Sequence, residues 1–185
     1  MTDVAPQNNF ASKKTLLMMV GVFVIPVIMA KLALDNDWFN KAATNKGQLL
    51  TPTINMDAVL ADTQPKWRLL YVIPAQCDNS CENALFSINQ VWLALGKESD
   101  RTEALVITTD QSDSAALNAL SEYPHVATLN SAKLPQLDSN SVYIVDTQNN
   151  AMLFYHMKDD RKDAVMESRN MLADIRKLLK LSRIG

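Results

Sequence analysis

Leu69-Leu70-Tyr71-Val72-Ile73, an unbroken apolar run, leads directly to Cys77-Asp78-Asn79-Ser80-Cys81, which holds the only two cysteines in the 185-residue chain. The run has the length and composition of a strand buried on both faces. From Ser80 onward, apolar residues recur at helical spacing (Ala84, Leu85, Ile88, Val91, Trp92, Leu95), and Gly96 supplies a stop. The two thiols therefore fall about one turn apart where a strand gives way to the positive end of a helix, which stabilises a thiolate. Such a pair can cycle between dithiol and disulfide, or hold a soft metal such as Cu(I) between two sulfurs. An inert surface disulfide and two unrelated free thiols are the plainer alternatives.

Working outward toward the amino terminus, Thr15 to Ala30 contains no charge, and its extension to Leu34 reaches the length of a bilayer-spanning helix. Pro26 is tolerable in such a helix. Lys31 can snorkel to the headgroups, and Trp38-Phe39 suits the interface. A cleavable signal peptide would have a shorter apolar core and a better site than Met29-Ala30-Lys31-Leu32-Ala33, so an uncleaved anchor is expected. Lys13 and Lys14 precede the span while Lys31, Lys41 and Lys46 follow it, so charge alone leaves orientation open. A short tail with two adjacent lysines and a cysteine pair that needs an oxidising compartment place the tail inside a bacterial inner membrane and the soluble domain in the periplasm.

Past the tether, Trp67 to Ile73 and Glu103 to Thr108 read as buried strands, and Asp110 or Ser112 can cap a helix through Leu117 and Leu120. His125 to Leu129 reads as a short strand or extended segment. Val142 to Val145 and Met152 to Tyr155 form a hairpin around Asp146-Thr147-Gln148-Asn149-Asn150, and Arg161 to Leu181 is a long amphipathic helix. A helix between the first two strands implies a right-handed parallel crossover, and the hairpin adds antiparallel strands. The fold class is α/β: a thioredoxin-like mixed sheet flanked by helices, preceded by a single transmembrane helix. The chain divides into a cytoplasmic tail (1–14), an anchor (15–34), a tether and entry segment (35–65) and a thioredoxin-like domain (66–185).

Lys66-Trp67-Arg68-Leu69-Leu70-Tyr71-Val72 followed by Cys77-x-x-x-Cys81 resembles the Sco/SenC family of membrane-anchored copper-handling proteins. Gly47-Gln48-Leu49-Leu50 and Val142-Tyr143-Ile144-Val145-Asp146 fall in the right order, and the three-residue gap between the cysteines is the most specific mark. The resemblance covers about residues 45 to 180 and the anchor, and is to the divergent members of the family. It implies a role in cytochrome c oxidase assembly, with an oxidase subunit or its assembly factors as partners, and Cys77 and Cys81 as both redox and copper-binding residues. Two positions depart from the family. Glu82 stands where proline is usual, and counting back from Asp146 puts Asp138 where the family has its copper-ligand histidine. A carboxylate is a poor third ligand for Cu(I). Only His125 and His156 are available to replace it.

Other chemistries are excluded by what is missing. With 18 Lys and Arg against 20 Asp and Glu, the formal charge is −2 and no basic stripe indicates nucleic-acid binding. The basic run from Arg176 to Arg183 reads as the solvated face of the last helix, with membrane-surface contact as the lesser reading. Four glycines leave no phosphate loop, and HExxH and nucleophile-elbow motifs are absent. The cysteine count is too low for a structural zinc site. Asp110, Asp113 and Asp159-Asp160 read as caps and turns, and Met18, Met19 and Met29 belong to the span. Besides the Sco-like assembly role, acting by thiol–disulfide exchange or weak Cu(I) binding, two functions remain open. One is a general periplasmic disulfide oxidoreductase; the other is a non-catalytic scaffold with a structural disulfide.

Overall fold

The computed structural model describes residues 9–35 and 44–182, and the chain divides into two compact units, Met1–Thr44 and Asn45–Gly185. In the first, α1 (Asn9–Asp35) is one helix with Pro26 inside it, and Lys13–Ala33 is long and apolar enough to cross a membrane. Its large apolar side chains, from Leu16 to Leu32, are exposed. Most of the expected tail, the interfacial Trp38-Phe39 and Arg183 of the basic run lie outside the described residues.

Among the described residues of the second unit, six strands form one sheet in the order β1-β6-β5-β2-β3-β4. They are β1 (Gln48–Asn55), β2 (Trp67–Val72), β3 (Thr102–Thr108), β4 (Val126–Asn130), β5 (Ser141–Val145) and β6 (Asn150–His156). β2, β3 and β4 run parallel, while β5, β6 and β1 are antiparallel to their neighbours. Between them lie α2 (Asp57–Leu60), α3 (Asn79–Leu95) and α4 (Ser114–Ala119), and α5 (Arg161–Leu181) closes the chain. Alternation along each strand sends residues to two cores. Leu69, Tyr71, Val106, Ile144 and Tyr155 pack under α3 and α5; Leu70, Leu105, Ile107, Tyr143 and Val145 pack under Met56 and Leu60, with Leu134 and Leu137 over them. The two long helices thus share one face, and the other is covered by a single helical turn and the segment before β5.

Two boundaries differ from the sequence expectation. The domain begins near Asn45 and not at residue 66, because β1 pairs with β6 and Met56 and Leu60 of the supposed entry segment are fully buried. The cap of α4 is Asp113, and not Asp110 or Ser112. Its carboxylate accepts from the N–H groups of Ala115 (2.7 Å) and Ala116 (3.3 Å), whereas the Ser112 hydroxyl donates to the Ile73 carbonyl (3.0 Å). Gly96 stops α3 in the left-handed region, at φ 61°.

A buried carboxylate fastens the amino end of this unit. Asp174 of α5, 3 % exposed, accepts from the N–H groups of Lys46 (2.7 Å) and Gly47 (2.8 Å) and from the Tyr155 hydroxyl (2.7 Å), all at Oδ2. Gly47 must be glycine, since a Cβ there would overlap the Tyr155 ring. Asp174→Ala leaves three donors without their acceptor and should cost about 3 kcal/mol, read as a lower urea midpoint with an unchanged slope. A loss below about 0.5 kcal/mol would show that water replaces the carboxylate.

Candidate functional site: the Cys77–Cys81 pair

The cysteines lie where β2 ends and α3 begins. Asp78, in extended conformation, caps α3, its Oδ1 accepting from the Cys81 N–H (3.1 Å) and the Ser80 hydroxyl (2.7 Å). Cys81 is therefore the third residue of the helix, a turn from Cys77, and the two form a disulfide with a Cα–Cα distance of 5.2 Å. Cys81 is fully buried in the core under α3, whereas Cys77 is half-buried. Glu82, in the position of the family's proline, uses its N–H in a first-turn bond to the Asp78 carbonyl (3.0 Å), which proline could not make.

The loop carrying Cys77 is tied to the neighbouring strand-to-helix loop. Asp113 Oδ2 accepts from the Cys77 N–H (3.0 Å), the Asp113 N–H donates to the Pro74 carbonyl (2.9 Å), and Ser112 reaches Ile73. These bonds set the charge at the site. The Cys77 N–H, followed by those of Ala115 and Ala116, holds the Asp113 carboxyl below the usual carboxylate range. The Ser80 hydroxyl and the Cys81 N–H do the same for Asp78. Both are anionic at neutral pH and oppose the helix end in stabilising a Cys77 thiolate. Tyr71, in the same core cluster as Cys81, has a buried hydroxyl with no hydrogen-bond partner among the described residues. Burial first, then the charges of Asp78 and Asp138, pushes that hydroxyl upward.

Asp138 does not join the thiols. Its Oδ2 lies 3.1 Å from His156 Nδ1 and accepts from the Ser141 hydroxyl (2.9 Å), which is itself 2.9 Å from the same Nδ1. With the hydroxyl proton given to Asp138, Nδ1 carries the ring proton. Burial tends to raise the Asp138 carboxyl, but the Asn140 N–H, the Ser141 hydroxyl and His156 outweigh it and hold it low. Ser141 and His156 are register partners and share the face of Tyr143 and Phe154, away from α3. His125 is farther still. It stacks on Trp92 (4.7 Å between centroids) just before β4, at the amino ends of the parallel strands, about 20 Å of strand from the cysteines.

The donor set for copper is thus two sulfurs. Among the described residues no group of three or more His, Cys, Asp or Glu could hold a metal ion, so the arrangement does not fit a site of two thiolates and an imidazole. Asp113, which positions Cys77, is the residue that sequence reading passed over as a cap; nothing in the local sequence reveals its second bond, made across 36 residues.

A mixed sheet with paired cysteines at the carboxyl end of a central parallel strand defines a thioredoxin-like domain. The chain belongs to the transmembrane-like, thioredoxin-like, C-terminal domain family, whose model matches residues 67–182. Solved structures similar to it include Bradyrhizobium japonicum ScoI with copper bound (21 % identity, 57 % of this chain and 85 % of that one, TM-score 0.39). Arabidopsis thaliana ScoI with copper bound is similar at 16 % identity, over 71 % of this chain and 98 % of that one, with a TM-score of 0.45. A secreted Mycobacterium tuberculosis disulfide oxidoreductase homologous to Escherichia coli DsbE matches at 19 % identity, over 61 % and 85 %, with a TM-score of 0.41. No curated protein sequence matches the chain.

Two outcomes are expected. Because the Asp78 and Asp113 carboxyls are depressed, the stability they contribute is present above the unfolded carboxylate range, about pH 4, and is lost as pH falls through their folded values. Asp113→Asn should lower the melting temperature at pH 7 and make its decline in acid shallower; parallel curves for the two proteins would refute the assignment. In anaerobic titration with a competing chelator, the reduced protein should hold Cu(I) only through Cys77 and Cys81. Asp138→His should leave that affinity unchanged, and a tighter site would place residue 138 among the ligands.

Proposed function

We propose that this protein is a membrane-anchored thiol–disulfide oxidoreductase of the periplasmic face, with Cys77 as the exchanging sulfur and Cys81 as its resolving partner. The reading is carried by one observation: the two sulfurs of the pair differ in access, Cys77 half-buried and Cys81 fully buried at the start of α3. A partner thiolate attacks Cys77 Sγ along the S–S axis, and Cys81 leaves as a thiolate favoured by the helix end. A second partner thiolate then attacks the partner sulfur of the mixed disulfide. Cys77 is released, the partner's two thiols become a disulfide, and two electrons reside on the reduced pair. In the opposite direction the Cys77 thiolate opens a partner disulfide and Cys81 resolves the intermediate. The asymmetry favours exchange over a structural bridge, which needs no accessible sulfur.

The resemblance to Sco/SenC proteins supports respiratory oxidase assembly as the setting, with a cysteine-bearing oxidase subunit or assembly factor as substrate. α1 supports a membrane anchor, and the cysteine pair favours an oxidising compartment, the periplasm, for the domain. Copper transfer is the second reading, favoured only by the softness of two adjacent thiolates.

In cells carrying a single-cysteine variant, Cys81→Ser should accumulate a mixed disulfide through Cys77, and Cys77→Ser should accumulate none, read on non-reducing gels. If each variant supports oxidase assembly as fully as the parent protein, the exchange role fails and a scaffold role stands.

A further inference from the structure

The outer side of α5 carries a stripe unlike the rest of the molecule. Lys162, Met166, Arg169, Ala173, Arg176 and Lys180 recur at alternating steps of four and three, so they form one line along the helix, and all six are exposed. Four of the six are basic and none is acidic, in a chain whose net charge is −2. The acids of the helix, Asp163, Glu167 and Asp174, lie on the flank turned toward β1. On the other flank the stripe borders an apolar groove between α3 and α5 of about 220 Å³, lined by Phe86, Val91, Ala94, Val165 and Leu172 with Arg169 at its rim. Arg161 lies over the Phe86 ring, 3.5 Å from its centroid, and Arg176 donates to the Ala94 carbonyl (2.6 Å), so both ends of the groove are cationic. Met166 and Leu93 add exposed apolar side chains (52 % and 46 %).

We propose that this basic stripe and groove rest on the anionic phospholipid surface of the membrane in which α1 is anchored. Charge selects the occupant, since phosphates suit arginine and lysine while apolar side chains between them suit the headgroup boundary. Chain length makes that surface the nearest one. Only residues 36–45 separate the end of α1 from Lys46, which is bonded to Asp174 of α5, and ten residues reach at most about 35 Å. The domain therefore never leaves the neighbourhood of the headgroups, and α5 is the element on which the tether arrives. The docking rests on the anchor reading and is independent of the thiol chemistry. It would give the domain a fixed side toward the bilayer.

The test uses the full chain, disulfide intact, in nanodiscs of phosphatidylcholine alone or of phosphatidylcholine mixed with phosphatidylglycerol, with lysine acylation read by mass spectrometry. Lys162 and Lys180 should react at least about threefold more slowly in the anionic discs, and high salt should restore their rates. Lys133, on the segment before β5, should react equally in both. Arg169→Gln should shrink the difference while leaving the urea midpoint in place. Equal rates for Lys162 and Lys180 in chains that have entered both kinds of disc would overturn the docking and leave the stripe to an acidic protein. A chain that does not enter the discs would overturn the anchor, and the docking with it; mixed-disulfide trapping by Cys81→Ser would still report the exchange chemistry on its own.

Discussion

The carboxylate of Asp113 fixes the relation between the two loops that make this site. One oxygen holds the amino end of α4, the other holds the Cys77 N–H, and the residue's own N–H returns a bond to Pro74. Two strand-to-helix turns that leave parallel neighbours β2 and β3 are thereby locked at the carboxyl edge of the sheet, where open α/β sheets place their chemistry. The disulfide loop is short, with three residues between its cysteines. Its position is inherited from this shared carboxylate and from the cap that Asp78 provides to α3.

The same two carboxylates decide how the sulfurs behave. A helix amino end draws electron density onto Cys81, while Asp78 and Asp113 oppose it next to Cys77. The pair is therefore more evenly balanced than the helix dipole alone would make it. Beneath it, the Tyr71 hydroxyl is buried and has no partner among the described residues, at a cost of about 1–3 kcal/mol, a condition it shares with Trp67 Nε1 and Asn89 Oδ1. Burial first, then the charges of Asp78 and Asp138, keeps that hydroxyl protonated at neutral pH.

Much of this architecture is legible in the residues. The buried strands, the hairpin and α5 announce themselves through apolar runs, turn-forming residues and helical spacing, all of which are local. β1 is not, because Thr51-Pro52 reads as a turn and its pairing with β6 lapses between Leu49 and Ile54. Proline is acceptable there because the strand lies at the sheet edge, a fact of tertiary position. The cysteine pair is equally evident from spacing, but the partners that control it are not. Asp113 as a cap is ordinary local chemistry; Asp113 as the acceptor for Cys77, and Asp138 as the partner of His156 and Ser141, exist only once strands are in register. Counting residues along a family pattern put Asp138 at the copper position, but its carboxylate is engaged by Ser141 and His156.

The Asp174 contact also determines how the domain bears load. Force applied at the end of an edge strand ordinarily unzips it one hydrogen bond at a time. Here the pull arrives at Lys46 and Gly47, whose N–H groups converge on a carboxylate seated in a long helix and braced by Tyr155. Both N–H bonds to Asp174 stand between that pull and β1. The chain entering at Lys46 and Gly47 is riveted to the body of the fold, and the sheet edge behind it is mechanically shielded.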